Sequence, residues 1–239
     1  MKRLLLLFGI AAIFTGKASA QQSFILSRID HRGFINVTAG NSMPTFSVFG
    51  KNSQNLMGNG QSAQASMGYR FGRLLGIAGS YSYKTNTIRK DVMIHSLAND
   101  LESTWNAQAT NCTFQSLMVG PLLSVPAGRF IFDFQLSGGL AQAKSSHMEM
   151  NTEYQQIPLT FTTPSKTTRA LAAGAGFTAR FKLNRWLALQ ATAQYITADL
   201  KYDNLVQEIQ VGSQLSTEIL PSSQPTGLLT LGGGFSFLF

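Results

Sequence analysis

Ser145, His147 and Glu149 alternate along the chain, so an extended backbone would set a hydroxyl, an imidazole and a carboxylate on one strand face. Those are the residue types of a Ser–His–acid hydrolase. The spacing matches that chemistry poorly. Such triads are assembled by mutual hydrogen bonds, usually between elements, and no oxyanion donor can be named beside these three. A solvated loop is the expectation for this segment, and no catalytic residue is assigned. His31, His95 and His147 are scattered, and no Cys and His spacing suits a metal, so no metal and no cofactor are expected. Cys112 is the one cysteine; it is expected to be a free, partly buried thiol, and a disulfide-stapled domain is excluded. The remaining candidates are electrostatic. Asp133 and Arg180 lie in two separate alternating runs, with Arg70 in a third.

What positions these residues is a recurrent period of two. In Arg129–Ala143, Phe130, Phe132, Phe134, Leu136, Gly138 and Leu140 fall on one face, and Ile131, Asp133, Gln135, Ser137 and Gly139 on the other. The C-terminus repeats this: Leu229, Leu231, Gly233, Phe235, Phe237 and Phe239 against Thr230, Gly232, Gly234 and Ser236. Further runs centre on residues 35–40, 64–71, 75–83, 116–123, 171–181 and 187–195, which makes eight strand candidates. Pro121 makes the run at 116–123 the least regular.

Charged residues make up only 13% of the chain, about half the share in an ordinary soluble domain. No apolar stretch is long enough for a membrane-spanning helix, which needs about 18 residues. The first twenty residues read as a cleaved signal peptide: basic Lys2 and Arg3, an apolar segment from Leu4 to Phe14, and the small-residue site Ala18-Ser19-Ala20. Residues 21–239 are then the mature domain. Its 19 basic residues fall to 16 against 11 acidic ones, a net charge of about +5, and nucleic acid is not an expected partner.

Connections between the runs alternate in length. Short ones lie near Gly72-Arg73, Pro126-Ala127-Gly128 and Asn184-Arg185; long ones at about Asn41–Gln61, Lys84–Asn111, Gln142–Thr168 and Asp199–Pro225. A meander with all its tight turns on one side gives this pattern, and transmembrane β-barrels have it. The apolar faces carry no charge, and the opposite faces are mostly Gly, Ser, Thr, Ala and Gln rather than the charged residues of a water-facing sheet. Tyr81, Tyr83 and Tyr195 lie towards the long loops; Tyr69, Phe71, Phe130, Phe181, Phe237 and Phe239 lie towards the short turns, as two interfacial girdles would. The expected fold is all-β: an eight-stranded antiparallel up-and-down transmembrane β-barrel with four long extracellular loops. By parity Asp133 and Arg180 point inward and are expected to pair, closing the lumen or gating a narrow pore, with Arg70 able to join them. A short helix is expected over Asp91–Ser103, and the stretch from Tyr202 to Glu218 could prolong strands past the membrane.

With its leader, its eight amphipathic strands and its last strand Leu229–Phe239, the chain resembles the small outer-membrane β-barrel family, OmpA/OmpX-like in its transmembrane part. The resemblance runs from about Gly33 to Phe239. It implies a place in the cell outer membrane with both termini periplasmic, and contact with outer-membrane lipid and lipopolysaccharide. It also implies that Phe239, with Phe237 and Phe235 behind it, forms the terminal signal read by the barrel assembly machinery. The peptidoglycan-binding module of full-length OmpA is not expected. The family includes adhesins, structural anchors, small pores and lipid-modifying enzymes. A structural or surface-interaction role through the loops is expected and an enzyme is not; a narrow pore for small solutes is the alternative, and a lipid-modifying enzyme a more distant one.

Overall fold

The structure, a computed structural model, describes residues 32–45, 57–72, 74–91, 94, 105–154, 157–211 and 214–239. The described residues form eleven strands: β1 (Gly33–Thr45), β2 (Met57–Arg70), β3 (Leu75–Ile88), β4 (Asn106–Ala109), β5 (Cys112–Ala127), β6 (Phe130–Lys144), β7 (Met148–Tyr154), β8 (Ile157–Thr163), β9 (Thr167–Lys182), β10 (Leu187–Val211) and β11 (Gln214–Leu238). Eight of them, β1, β2, β3, β5, β6, β9, β10 and β11, form an antiparallel ring in which each bonds to the next. β11 closes the ring on β1, in register from Phe34↔Leu238 to Thr45↔Gly227. Closure leaves no free edge, so every barrel strand has a neighbour on both sides.

The tight turns are built from residues suited to them. Gly128 takes φ 64, the left-handed region, between β5 and β6. Before β10, Asn184 Oδ1 accepts hydrogen bonds from the backbone N–H groups of Trp186 and Leu187, both at 2.8 Å, and so turns the chain through its own side chain. Pro121 lies within β5 after all. Its missing N–H falls on the β6 side, where the register skips from Val119↔Gly138 to Leu122↔Gln135 without shifting, while Ile77↔Pro121 holds the β3 side.

The long connections contain more strand than expected. β3 continues to Ile88, so Lys84 to Ile88 belong to the barrel wall and not to a loop. β10 and β11 run for 25 residues each and pair with one another as far as Val211↔Gln214. The upper 11 or so residues of such a hairpin reach about 35 Å past the ring at 3.3 Å per residue. β8 pairs with this extension, β7 with β8, and β4 with β7. The result is a raised sheet in the order β11-β10-β8-β7-β4, standing on one side of the barrel mouth. The helix expected over Asp91–Ser103 falls almost wholly outside the described residues, as do the leader segment and His31 and His95.

Inside and outside are opposite in character. Outward residues are large and apolar: Val119, Leu136, Leu140 and Leu171 are each more than half exposed, as are Met67, Phe235 and Phe237. Inward residues are small or polar over the middle of the barrel. Phe34 is an exception near the short-turn end, and it fits because Gly68 faces it on β2. A Cβ at Gly68 would lie 2.3 Å from the Phe34 ring.

Candidate functional site

A sheet whose outer surface is a continuous apolar band, with polar side chains sealed inside, is stable only in a solvent that is itself apolar. Tyr69, Phe71, Phe130, Phe237 and Phe239 cluster at the short-turn end, all exposed, as interfacial aromatics do. The girdle expected towards the long loops is reduced to Tyr81 and Tyr83 on β3, with Tyr195 only half-buried. The barrel spans a membrane, and the two places left for chemistry are its lumen and the sheet raised above its mouth.

The lumen is layered. At the short-turn end Phe34, Ala78, Leu122, Ala188 and Leu238 form a buried apolar cluster. Directly against it lie the three charged residues marked by the sequence. Arg180 Nη2 donates to Asp133 Oδ2 in a fully buried ion pair. The Arg180 guanidinium also stacks on the Phe34 ring, 3.8 Å from its centroid. Arg70 Nη1 donates to Ser124 Oγ at 3.4 Å and lies within the field of Asp133. The structure therefore brings together all three residues of the expected cluster, from β2, β6 and β9.

Above this layer the lumen is polar. Asn36 donates to Ser66 Oγ at 3.1 Å, Thr178 and Thr192 share a hydrogen bond of 3.2 Å, and Gln135 donates to the carbonyl of Ala78 at 3.1 Å. The buried carboxamide oxygens of Gln64, Gln190 and Gln194 have no hydrogen-bond partner in the protein. The next layer is divided. On the β1–β3 side Ser82 and Ser116 are 2.7 Å apart, and Ser42 donates to Asn86 at 3.1 Å. On the other side Phe114, Met118, Ile196, Leu200, Tyr202 and Leu228 form the largest apolar cluster among the described residues. The inner face is thus not uniformly small and neutral, as its glycine, serine and threonine content suggests. Apolar side chains fill its short-turn end and one side of its upper part.

Three residues of this region escape the sequence reading. Lys84 is fully buried in the upper lumen, 5.9 Å from the Phe114 ring, and no hydrogen bond reaches its amine. Carrying the Tyr81, Tyr83 alternation one step further would have turned it inward. Leu228 and Ile196 are fully buried as well; no local pattern distinguishes them from outward leucines.

The Ser145, His147 and Glu149 set does not come together. Ser145 Oγ accepts from Lys166 N–H at 2.8 Å, His147 N–H donates to Thr110 Oγ1 at 2.9 Å, and Glu149 Oε1 accepts from Asn151 at 3.1 Å. The three make no hydrogen bond to one another. Ser145 and His147 tie the chain just before β7 to its neighbours, and the Glu149 bond stays within β7. Cys112 is a free thiol at the first residue of β5, above the aromatic girdle; burial pushes its pKa up, opposed by a hydrogen bond from the Ser146 backbone.

No protein-family model matches the chain, and no curated protein is significantly similar to it. Solved structures are similar in fold. Neisserial surface protein A is 12% identical, with 87% of this chain and 97% of that one covered and a TM-score of 0.47. Ail, the attachment invasion locus protein of Yersinia pestis, is 14% identical over 86% of this chain and 99% of that one, with a TM-score of 0.42. A major outer membrane protein of Thermus thermophilus is 15% identical over 87% of this chain and all of that one, with a TM-score of 0.43. At these identities the likeness is one of barrel architecture.

Proposed function

We propose that the protein sits in the outer membrane, with both termini in the periplasm, and acts at the cell surface through the long-loop end of the barrel. The observation that supports this reading is the raised sheet. Five strands are carried clear of the apolar band, which a barrel serving only as a membrane filler does not need. Rigid scaffolds commonly present their binding elements in this way. The apolar cluster at the short-turn end of the lumen supports a surface role over a pore.

Lipopolysaccharide is the partner expected around the base of that sheet. Lys144, Arg169 and Lys201 lie outward on the adjacent strands β6, β9 and β10, just above the exposed Leu140 and Leu171. Lys201 shares its charge with Asp199, 3.8 Å away, while Lys144 and Arg169 meet the phosphate layer of the outer leaflet, where a cation contributes about 1 kcal/mol. The barrel assembly machinery is the partner proposed for the Phe235, Phe237, Phe239 face during insertion.

The test replaces residues 203–221 with a two-residue turn. The trimmed chain should still insert and give a heat-modifiable band. In a strain lacking the protein, the full chain should restore detergent resistance and surface attachment, and the trimmed chain should not. Full restoration by the trimmed chain would remove the raised sheet from the role.

A further inference from the structure

A cleft of about 470 Å³ opens on the outside of the barrel wall, at the long-loop ends of β1, β2 and β3. Asn41, Asn59, Gln61, Thr85, Thr87 and Asn111 line it. Asn41 is the register partner of Gln61, and Gln61 that of Thr85, so three of these side chains stand side by side on adjacent strands. They point outward by alternation: on the same parity lie Val37 of β1, Met67 of β2 and Tyr83 of β3, all exposed. Thr87 Oγ1 donates to the carbonyl of Asn59 at 2.9 Å and ties the rim together.

No charged side chain lines the cleft. A wall that merely faced water would carry lysines and glutamates. A wall against acyl chains would be apolar, as the same three strands are lower down, at Ile35, Val37, Met67 and Ile77. A phosphate site would present cations, as β6 and β9 do with Lys144 and Arg169. Carboxamides and hydroxyls each donate and accept hydrogen bonds without bearing charge. Their match is a ligand that does the same, a ring of vicinal hydroxyls.

Tyr83 is the second observation. It is the next outward residue of β3 below Thr85, it is exposed, and its register partner on β2 is Ala63, too small to cover the ring. A pyranose has polar edges and a C–H face, and that face packs on an aromatic ring. The site offers the two surfaces together, a polar row and a bare ring beneath it. Tyr81 follows, exposed as well, and below it the apolar band begins. The cleft thus opens at headgroup depth, where tyrosine marks the boundary, and its volume is that of a small-ligand site.

We propose, on the outer-membrane placement given above, that this cleft holds an uncharged hexose of an outer-leaflet glycolipid, its hydroxyls on Asn41, Gln61 and Thr85 and its C–H face on Tyr83. The barrel then meets the sugar of its leaflet on the β1–β3 side and the phosphate on the β6–β9 side.

The full chain is placed in phosphatidylcholine nanodiscs carrying equal minor shares of digalactosyldiacylglycerol, whose head is a neutral disaccharide, and phosphatidylglycerol, whose head bears phosphate and no sugar. The lipids that stay with the protein on release into detergent are counted by mass spectrometry. Digalactosyldiacylglycerol should be enriched several-fold over phosphatidylcholine. Asn41→Ala combined with Gln61→Ala removes two outward carboxamides and no backbone hydrogen bond; it should abolish this enrichment and leave the retention of phosphatidylglycerol unchanged. Absence of glycolipid enrichment, its survival in the double variant, or an equal loss of both lipids would each overturn the proposal. Should the double variant give no heat-modifiable band, Tyr83→Leu replaces it, and an unchanged enrichment overturns the proposal. If the unaltered chain itself gives no such band, the membrane placement falls and the proposal with it.

Discussion

Arg180 reaches Asp133 diagonally: the register partner of Asp133 on β9 is Thr178, and that of Arg180 on β6 is Ile131. The pair thus bridges two rungs of the barrel wall, with the Phe34 ring on the other side of the guanidinium. Removing one member leaves the other charged and buried. Asp133→Asn, or Arg180→Met, should each lower stability by about 3–5 kcal/mol, and the double variant should lose less than their sum. Urea unfolding of vesicle-inserted protein, followed by tryptophan fluorescence, measures this. Additive losses would mean that the two side chains do not act as a pair.

Leu136 and Leu215 are almost equally exposed, at 66% and 65%, but they face different solvents. Leu136 lies in the apolar band on β6, and Leu215 on the raised part of β11. Leu136→Arg should cost about 2–4 kcal/mol, the penalty for a cation in mid-membrane, whereas Leu215→Arg should change stability by less than about 0.5 kcal/mol. The same unfolding measurement compares them. Equal costs at both positions would remove the boundary between membrane and raised sheet.

The barrel was legible because a closed membrane sheet imposes one rule on every strand. Alternation, chain parity and loop length each follow from it, and parity alone placed Asp133, Arg180 and Arg70 inward and together. The raised sheet was only partly legible. The stretch from Tyr202 to Glu218 reads as strand that could pass the membrane, but nothing local names the β7–β8 hairpin as its neighbour, because that pairing joins segments far apart in the chain. The lumen clusters were hidden for a different reason. Leu228, Ile196 and Phe114 have ordinary strand neighbours, and only the ring's geometry decides which apolar side chains fill the mouth and which meet lipid.

The two apolar clusters bear on conduction. Phe34, Leu122 and Leu238 fill the short-turn end, and Met118, Ile196 and Leu228 one side of the upper lumen, with polar side chains between. Planar bilayers containing the protein should show no conductance steps. Asp133→Ala should be equally silent, because it leaves the apolar side chains in place. Discrete steps from the unaltered chain, altered by Asp133→Ala, would restore the pore reading and make the Asp133–Arg180 pair its gate.

Phe239 tests whether its aromatic side chain is read during assembly or merely packed. The backbone closes the ring without it: Gly33 N–H donates to the Phe239 carbonyl at 2.7 Å, and Phe239 N–H to the Gly33 carbonyl at 3.0 Å. The ring itself lies over Gly33, where a Cβ would come within 2.4 Å of it. Phe239→Ala keeps both hydrogen bonds and deletes only the exposed ring. In cells, the heat-modifiable band in the outer-membrane fraction should fall several-fold. In vitro, spontaneous insertion into lipid vesicles should proceed with unchanged yield, because no assembly machinery is present to miss the ring. An equal fall in both would make Phe239 a packing residue for Gly33, and would leave the assembly signal to be sought at Phe237 and Phe235.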